Sequence, residues 1–132
     1  MPVEEFVRQL AVMIDEKHAH SWDATCSFLL LLRSSTEDEY LEMKTLEIDG
    51  HPSDTLRLIP PDDRYIAACL SSLGHLSDFS SPSAPKRLRV RITTAVSPAG
   101  DLSIVRDRRG SLQELEGMTG ETGELLKELF TT

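Results

Sequence analysis

The sequence predicts an α+β fold, in which an antiparallel β-sheet packs against an N-terminal, a middle and a C-terminal helix. Three observations lead to this prediction. Apolar residues recur at helical spacing near both ends of the chain, polar and apolar residues alternate over 87–109, and the 132 residues contain no internal repeat. At this length we expect one domain that spans residues 1–132.

The first helix is expected from Pro2 to about His18. Proline suits the first turn of a helix, and the two glutamates that follow complement the positive end of the helix dipole. The spacing of three or four residues then defines one apolar face, which is typical of a helix lying on a core. The residues on this face are Val3, Phe6, Val7, Leu10, Met13 and Ile14.

Two strands are expected after this helix. Five consecutive apolar residues at 28–32 predict a well-buried first strand over 24–33. The second strand runs from Glu39 to about Ile48, and its apolar phase changes along the way: Leu41 lies on one face and Leu46 on the other. A bulge midway along this strand would bring both onto the same face.

The middle of the chain predicts a short third strand and then a helix. In residues 55–59 polar and apolar side chains alternate, with Leu56 and Leu58 on one face. The two prolines that follow block any continuation of a sheet. We expect a helix over 62–73 that ends at a C-capping glycine, Gly74. Its buried stripe would consist of Tyr65, Ile66, Cys69, Leu70 and Leu73.

Residues 87–109 predict a β-hairpin with one apolar face and one arginine face. Pro98 suits a type I turn, and Gly100 suits the left-handed residue that follows such a turn. This three-residue loop would pair Ser97 with Asp101 and bring the apolar residues of both strands onto one face.

The C-terminal part predicts two further helical pieces. A single helical turn is expected over 112–116, and a helix over 121–130 carries Leu125, Leu126, Leu129 and Phe130. Glycines and threonines separate the two pieces. Residues 117–132 are therefore expected to form a C-terminal helix that is loosely attached to the domain.

The charge distribution limits the classes of partner. The net charge is −8, yet residues 86–109 hold seven Lys/Arg against two Asp/Glu, and the remainder holds seven against twenty. A protein of this overall charge does not attract nucleic acid. Apolar runs are far too short for a membrane span, and no signal peptide is visible. We expect a cytoplasmic protein with a protein partner and without nucleic acid or membrane contacts.

The side chains that usually perform catalysis do not form a motif. Cys26 and Cys69 each lie in an apolar run, which indicates buried thiols instead of a nucleophile or a disulfide. The four histidines lack the spacing of a metal site, and the glycines are isolated turn residues. The sequence thus predicts a non-enzymatic protein without a metal site or cofactor.

The arginine face of the hairpin is the first candidate binding surface. In the predicted register Arg91 meets Asp107, which leaves Arg87, Arg89 and Arg109 as an arginine cluster. Like charges placed side by side on a sheet are mildly destabilising, so such a cluster fits contact with carboxylates or phosphates. Plain solvation, or a covering acidic segment of the same chain, is the alternative explanation.

An acidic run around the start of the second strand is the other candidate surface. It consists of Glu37, Asp38, Glu39 and Glu42, with Glu47 further along the strand. Such a run would meet a basic partner, or it would form a solvated turn and strand face.

The order of these pieces resembles bacterial immunity proteins of the YezG-like type, over roughly residues 3–107. The matching pieces are Ser21-Trp22-Asp23 before the first strand, Tyr40-Leu41-Glu42 in the second, Tyr65 to Leu76 in the helix and Gly100-Asp101-Leu102 in the hairpin. The resemblance implies a small acidic cytoplasmic protein of immunity or antitoxin type, which neutralises a toxin by occluding it.

The chain is also similar in size, acidity and predicted element order to class I type III secretion chaperones. Residues 55–59 as a third strand and the C-terminal helix carry this second resemblance. It implies a homodimer that binds a segment of a secreted effector. The sequence leaves both alternatives open.

Overall fold

A computed structural model describes residues 3–19, 22, 26–34, 41–78, 86–98, 100–115 and 120–130. Within these residues the chain forms three helices and six strands. In chain order they are α1 (Val3–Lys17), β1 (Cys26–Ser34), β2 (Leu41–Asp49), α2 (Pro52–Leu56), β3 (Tyr65–Asp78), β4 (Lys86–Ser97), β5 (Gly100–Asp107), β6 (Leu112–Leu115) and α3 (Gly120–Glu128).

All six strands belong to one sheet in the order β2-β1-β3-β4-β5-β6, and every neighbouring pair is antiparallel. The predicted α+β class is therefore confirmed, with an N-terminal, a middle and a C-terminal helix on an antiparallel sheet. At the two edges stand β2, with nine residues, and β6, with four.

The sheet carries an apolar core on each face. On the α1 face, helix α1 lies against β3, β4 and β5, where Val7, Leu10, Ala11 and Ile14 are buried against Leu30, Leu32, Ala67, Cys69, Ala95, Leu102 and Ile104. On the opposite α3 face, α2 and α3 bury Leu56, Leu126 and Leu129 against Leu29, Leu31, Ile48, Ala68, Leu70 and Val96. Because β1 and β3 are covered on both sides, the apolar runs at residues 29–32 and 67–70 are buried on both faces.

The predicted middle helix over 62–73 is wrong, because these residues belong to the connection before β3 and to β3 itself. β3 lies between β1 and β4, and Ala67 and Ala68 point to opposite faces with no exposed surface. The middle helix is α2 instead, where a third strand over 55–59 was predicted. Pro52 occupies its first turn, and the Ser53 N–H donates to Nδ1 of His51 at 3.2 Å.

The hairpin is confirmed, but its predicted register is wrong by one residue. Ser97 pairs with Gly100 across a two-residue connection at 98–99, so Thr93 faces Ile104 and Arg91 faces Arg106. Gly100 has no positive φ; the positive-φ glycines of the described residues are Gly50 and Gly110. Leu102 and Ile104 of β5 therefore join the arginine face, which is the face that α1 covers.

Two further predictions need correction. β2 pairs with β1 in continuous register along its whole length, so the expected bulge is not there. The helical turn predicted at 112–116 is the edge strand β6. The C-terminal helix is confirmed as α3, and Leu126 on it and Leu129 directly after it are buried.

Candidate functional site

The open edge of the sheet at β2 is the most distinctive surface of the described residues. β2 pairs with β1 on one side only, so its other side presents main-chain N–H and C=O groups. Its residues on the α1 side of the sheet are all exposed. Among them Leu41 is 53% and Met43 is 63% exposed. A long edge strand with exposed apolar side chains is a template for another chain.

A groove runs beside β2 on the α3 face. It has a volume of about 520 Å³ and is floored by Leu31, Leu46 and Tyr65. The connection between α2 and β3 forms its outer wall, where Leu58 is 83% exposed. An apolar floor next to unpaired main chain suits a large side chain from a docked strand.

A smaller cavity of about 160 Å³ flanks β2 on the α1 face. The end of α1 and β1 form it, together with Thr45 and Glu47 of β2. His18 in its wall stacks on Phe28, with ring centroids 3.6 Å apart. Burial lowers the pKa of His18, and the nearby Arg91 and Lys17 lower it further, whereas Glu47 of β2 raises it by a smaller amount.

An ion network fixes the wall of the groove to the sheet. Arg33 of β1 donates to Oε2 of Glu42 at 2.5 and 3.0 Å and to Asp62 at 3.5 Å. Arg64 donates to the same Asp62 carboxylate at 2.9 Å. The hydrogen bonds from Arg64 are the main reason that the pKa of Asp62 falls to about 2. Glu42, a predicted binding residue, is thus neutralised within the network.

Two other acids of β2, Glu47 and Asp49, are exposed and form no ion pair with the described residues. Both point to the α1 side of the sheet, as Leu41 and Met43 do. β2 is therefore apolar at its beginning and acidic at its end.

The residues of the predicted arginine cluster lie at one end of the β4–β5 hairpin. Arg89 is exposed on β4 and pairs with His75 of β3, and Arg109 is exposed in the turn after β5. Arg87 is the second residue of β4 and pairs with Ser77. The predicted neutralisation of Arg91 by Asp107 is wrong because of the register, and Val90 faces Asp107 instead.

Arg91 and Arg106 belong to a buried polar layer under the end of α1. Nε of Arg106 donates to Oδ2 of Asp15 at 2.8 Å, Nη2 lies 2.7 Å from the same oxygen, and Asp15 is fully buried. Arg91 is fully buried too; it donates to Oγ of Ser71 at 3.1 Å and lies over the ring of Phe28. The Asp15–Arg106 pair holds α1 on the sheet, and the contacts of Arg91 join strands within the sheet.

The remaining predicted residues and groups have the following positions. Glu37, Asp38 and Glu39 lie outside the described residues. Cys69 is a free thiol in β3 with no exposed surface, and burial raises its pKa well above the usual range, so it is unreactive. In the described part of the chain, no three His, Cys, Asp or Glu side chains converge as metal ligands would.

The sequence reasoning missed Met43 and Leu58 as surface features. The exposure of Met43 could have been predicted from the change of apolar phase in the second strand, which was interpreted as a bulge.

Among the described helices none is long and apolar enough to pass through a membrane. The chain matches no protein-family model, no curated protein and no solved structure.

Proposed function

We propose that this chain is a non-enzymatic protein-binding module of immunity or antitoxin type, which acts in the cytoplasm. It takes an extended segment of a partner protein onto the open edge of β2 and so occludes that partner. The observation that carries the proposal is the exposure of Leu41 and Met43 on a nine-residue edge strand.

Strand addition explains how this edge would supply affinity. A docked segment satisfies the outward main-chain groups of β2 and covers the exposed apolar side chains at the same time. Burial of apolar surface contributes about 25 cal/mol per Å². The groove beside Leu58 adds a pocket for a side chain, which supplies specificity.

The charge of the edge argues for a basic partner segment. β2 carries three acids and one lysine, and the whole chain has a net charge of −8. A second copy of this chain is a poor occupant. In the symmetric antiparallel register about Thr45, Glu47 would face Met43 and Asp49 would face Leu41, so neither charges nor apolar groups would be matched.

The buried chemistry supports a binding function in a reducing compartment. The thiol of Cys69 is free, inaccessible and protonated. The buried ions, Asp15 and Arg106, face each other instead of a cavity.

The proposal is tested by selecting binders from a library of random extended peptides against the full chain. Dissociation constants of the selected peptides are then measured for the wild type and for Met43→Lys. A lysine on an edge strand opposes strand addition, and we expect the affinity to fall at least tenfold. Met13→Lys is the matched control, because Met13 is 49% exposed on α1. It should leave the affinity unchanged.

Each outcome bears on the proposal. Peptides that bind Met43→Lys as tightly as the wild type would overturn it, and so would a selection that yields no specific binder. Binding that Arg89→Glu abolishes and Met43→Lys does not would move the site to the arginine surface. Light scattering tests the chaperone alternative: a stable dimer that Met43→Lys dissociates would mean that β2 pairs with a second copy.

A further inference from the structure

We infer that the docked segment runs antiparallel to β2 and carries basic residues at its beginning and apolar residues at its end. This inference rests on the proposed strand addition at β2, and it names the chemistry and the direction of the segment. Counted over nine residues, positions one and three are basic and positions seven and nine are apolar.

The pattern follows from the polarity of β2. Glu47 and Asp49 at its end are exposed acids, while Leu41 and Met43 at its beginning are exposed apolar residues. All four point to the α1 side of the sheet. Residues directly opposite each other in paired strands share a face and contact one another. The segment must therefore place its cations opposite the acids and its apolar side chains opposite Leu41 and Met43.

The direction follows from the geometry of the sheet. All five strand pairings of the described residues are antiparallel. Antiparallel pairing is the more stable per residue, and its hydrogen bonds run perpendicular to the strands. An antiparallel segment begins opposite Asp49 and ends opposite Leu41, so its basic half comes first.

The intervening positions of the segment point to the α3 side. There, the positions opposite Lys44 and Leu46 lie beside the groove of about 520 Å³, whose floor includes Leu31 and Tyr65. A large apolar or aromatic side chain at position six, opposite Lys44, reaches this groove past Leu58. The segment then has a large apolar side chain in the groove on the α3 side and basic residues opposite Glu47 and Asp49 on the α1 side.

The test uses synthetic peptides and the full chain. The peptide KTKVTFITV has the inferred pattern, and its reverse, VTIFTVKTK, has the same composition with the halves exchanged. Binding is measured by fluorescence anisotropy at fixed ionic strength. We expect KTKVTFITV to bind about tenfold more tightly, because only it matches four cross-strand pairs in the antiparallel direction.

A charge exchange tests the acidic end by itself. Glu47→Lys should weaken binding of KTKVTFITV about fivefold and strengthen binding of the acidic peptide ETEVTFITV. Asp54→Lys makes the same charge change on α2, where the Asp54 side chain is 82% exposed. It is the matched control and should leave both affinities unchanged.

The outcomes separate this inference from the proposed function. Tighter binding of the reversed peptide would overturn the antiparallel direction. If library peptides bind in a Met43-dependent way but follow neither pattern, the inference fails and the strand addition stands. If Glu47→Lys and Asp54→Lys weaken binding equally, the affinity depends only on the net charge of the protein, and the inferred pairing of basic residues with Glu47 and Asp49 is wrong.

Discussion

Removal of the carboxylate of Asp15 should destabilise the protein strongly. Asp15 is fully buried, accepts a hydrogen bond from Nε of Arg106 and forms an ion pair with the same side chain, which is 16% exposed. Arg91 faces Arg106 in the neighbouring strand and is fully buried as well. In Asp15→Leu the guanidinium group of Arg106 would stay at this interface without its carboxylate partner.

The expected loss follows from the burial of the pair. Breaking a buried ion pair by removing one partner costs about 3–5 kcal/mol. Arg106 retains some access to water, so we expect the lower end, about 3 kcal/mol. For a domain of this size that corresponds to a fall of about 12 °C in Tm.

A double-mutant cycle supplies the decisive measurement. Asp15→Leu, Arg106→Leu and the double variant are unfolded in urea at pH 7, and their free energies of unfolding are compared. The double variant should lose far less than the sum of the single losses, because it leaves no buried charge of this pair. In the described residues Oδ1 of Asp15 has no hydrogen-bond partner, so the cost of removing this carboxylate from water is only partly offset. Two leucines should therefore replace the ion pair with little loss of stability. Additive losses, or a loss below about 1 kcal/mol for Asp15→Leu, would refute this reasoning.

Two further predictions concern the α3 side. Leu129→Ala should reduce the free energy of unfolding by about 2–5 kcal/mol in urea titration, since Leu129 is buried against the sheet; the exposed Leu58→Ala is its control and should change little. Asp62→Asn should destabilise the protein at pH 7. The folded pKa of Asp62, about 2, lies below its ordinary value of 3.8, so this contribution is present above pH 4 and lost as the pH falls towards 2. The difference between wild type and variant should close over that window, and a constant difference would contradict this assignment.

The sequence predicted the fold class and both terminal helices because their periodicity is clear. It failed at β3 for a physical reason. A central strand covered on both faces shows no alternation, and the run Tyr65–Leu70 satisfies the helical period equally well. Ala67 and Ala68 also favour a helix by intrinsic propensity, and the tertiary packing overrides it.

The register of the hairpin failed for a related reason. The prediction assumed that one face of each strand is polar, whereas Val105 and Ile104 of β5 are buried on opposite faces. When both faces are apolar, the hydrophobic pattern no longer selects one register over its neighbour. Only the length of the connection then decides, and Ser97 meets Gly100.

The candidate site was only partly accessible to sequence reasoning. Glu42 was expected in an acidic surface, and it does lie on β2, but Arg33 neutralises it. The exposure of Met43 depends on where α1 ends its contact with the sheet, and that contact involves strands remote in the sequence. A local pattern contains no information about which strand becomes an edge.

The packing of α1 against β4 and β5 also limits the order in which the chain can fold. Asp15 and Arg106 are 91 residues apart, so α1 is synthesised well before β5, the strand that completes its docking surface. Until β5 is made, the apolar stripe of α1 lacks part of the surface that covers it. Contacts of such separation slow folding, because the intervening chain must lose its entropy before they form. For a newly made chain, the interval before α1 docks is the period of greatest exposure to chaperones and proteases.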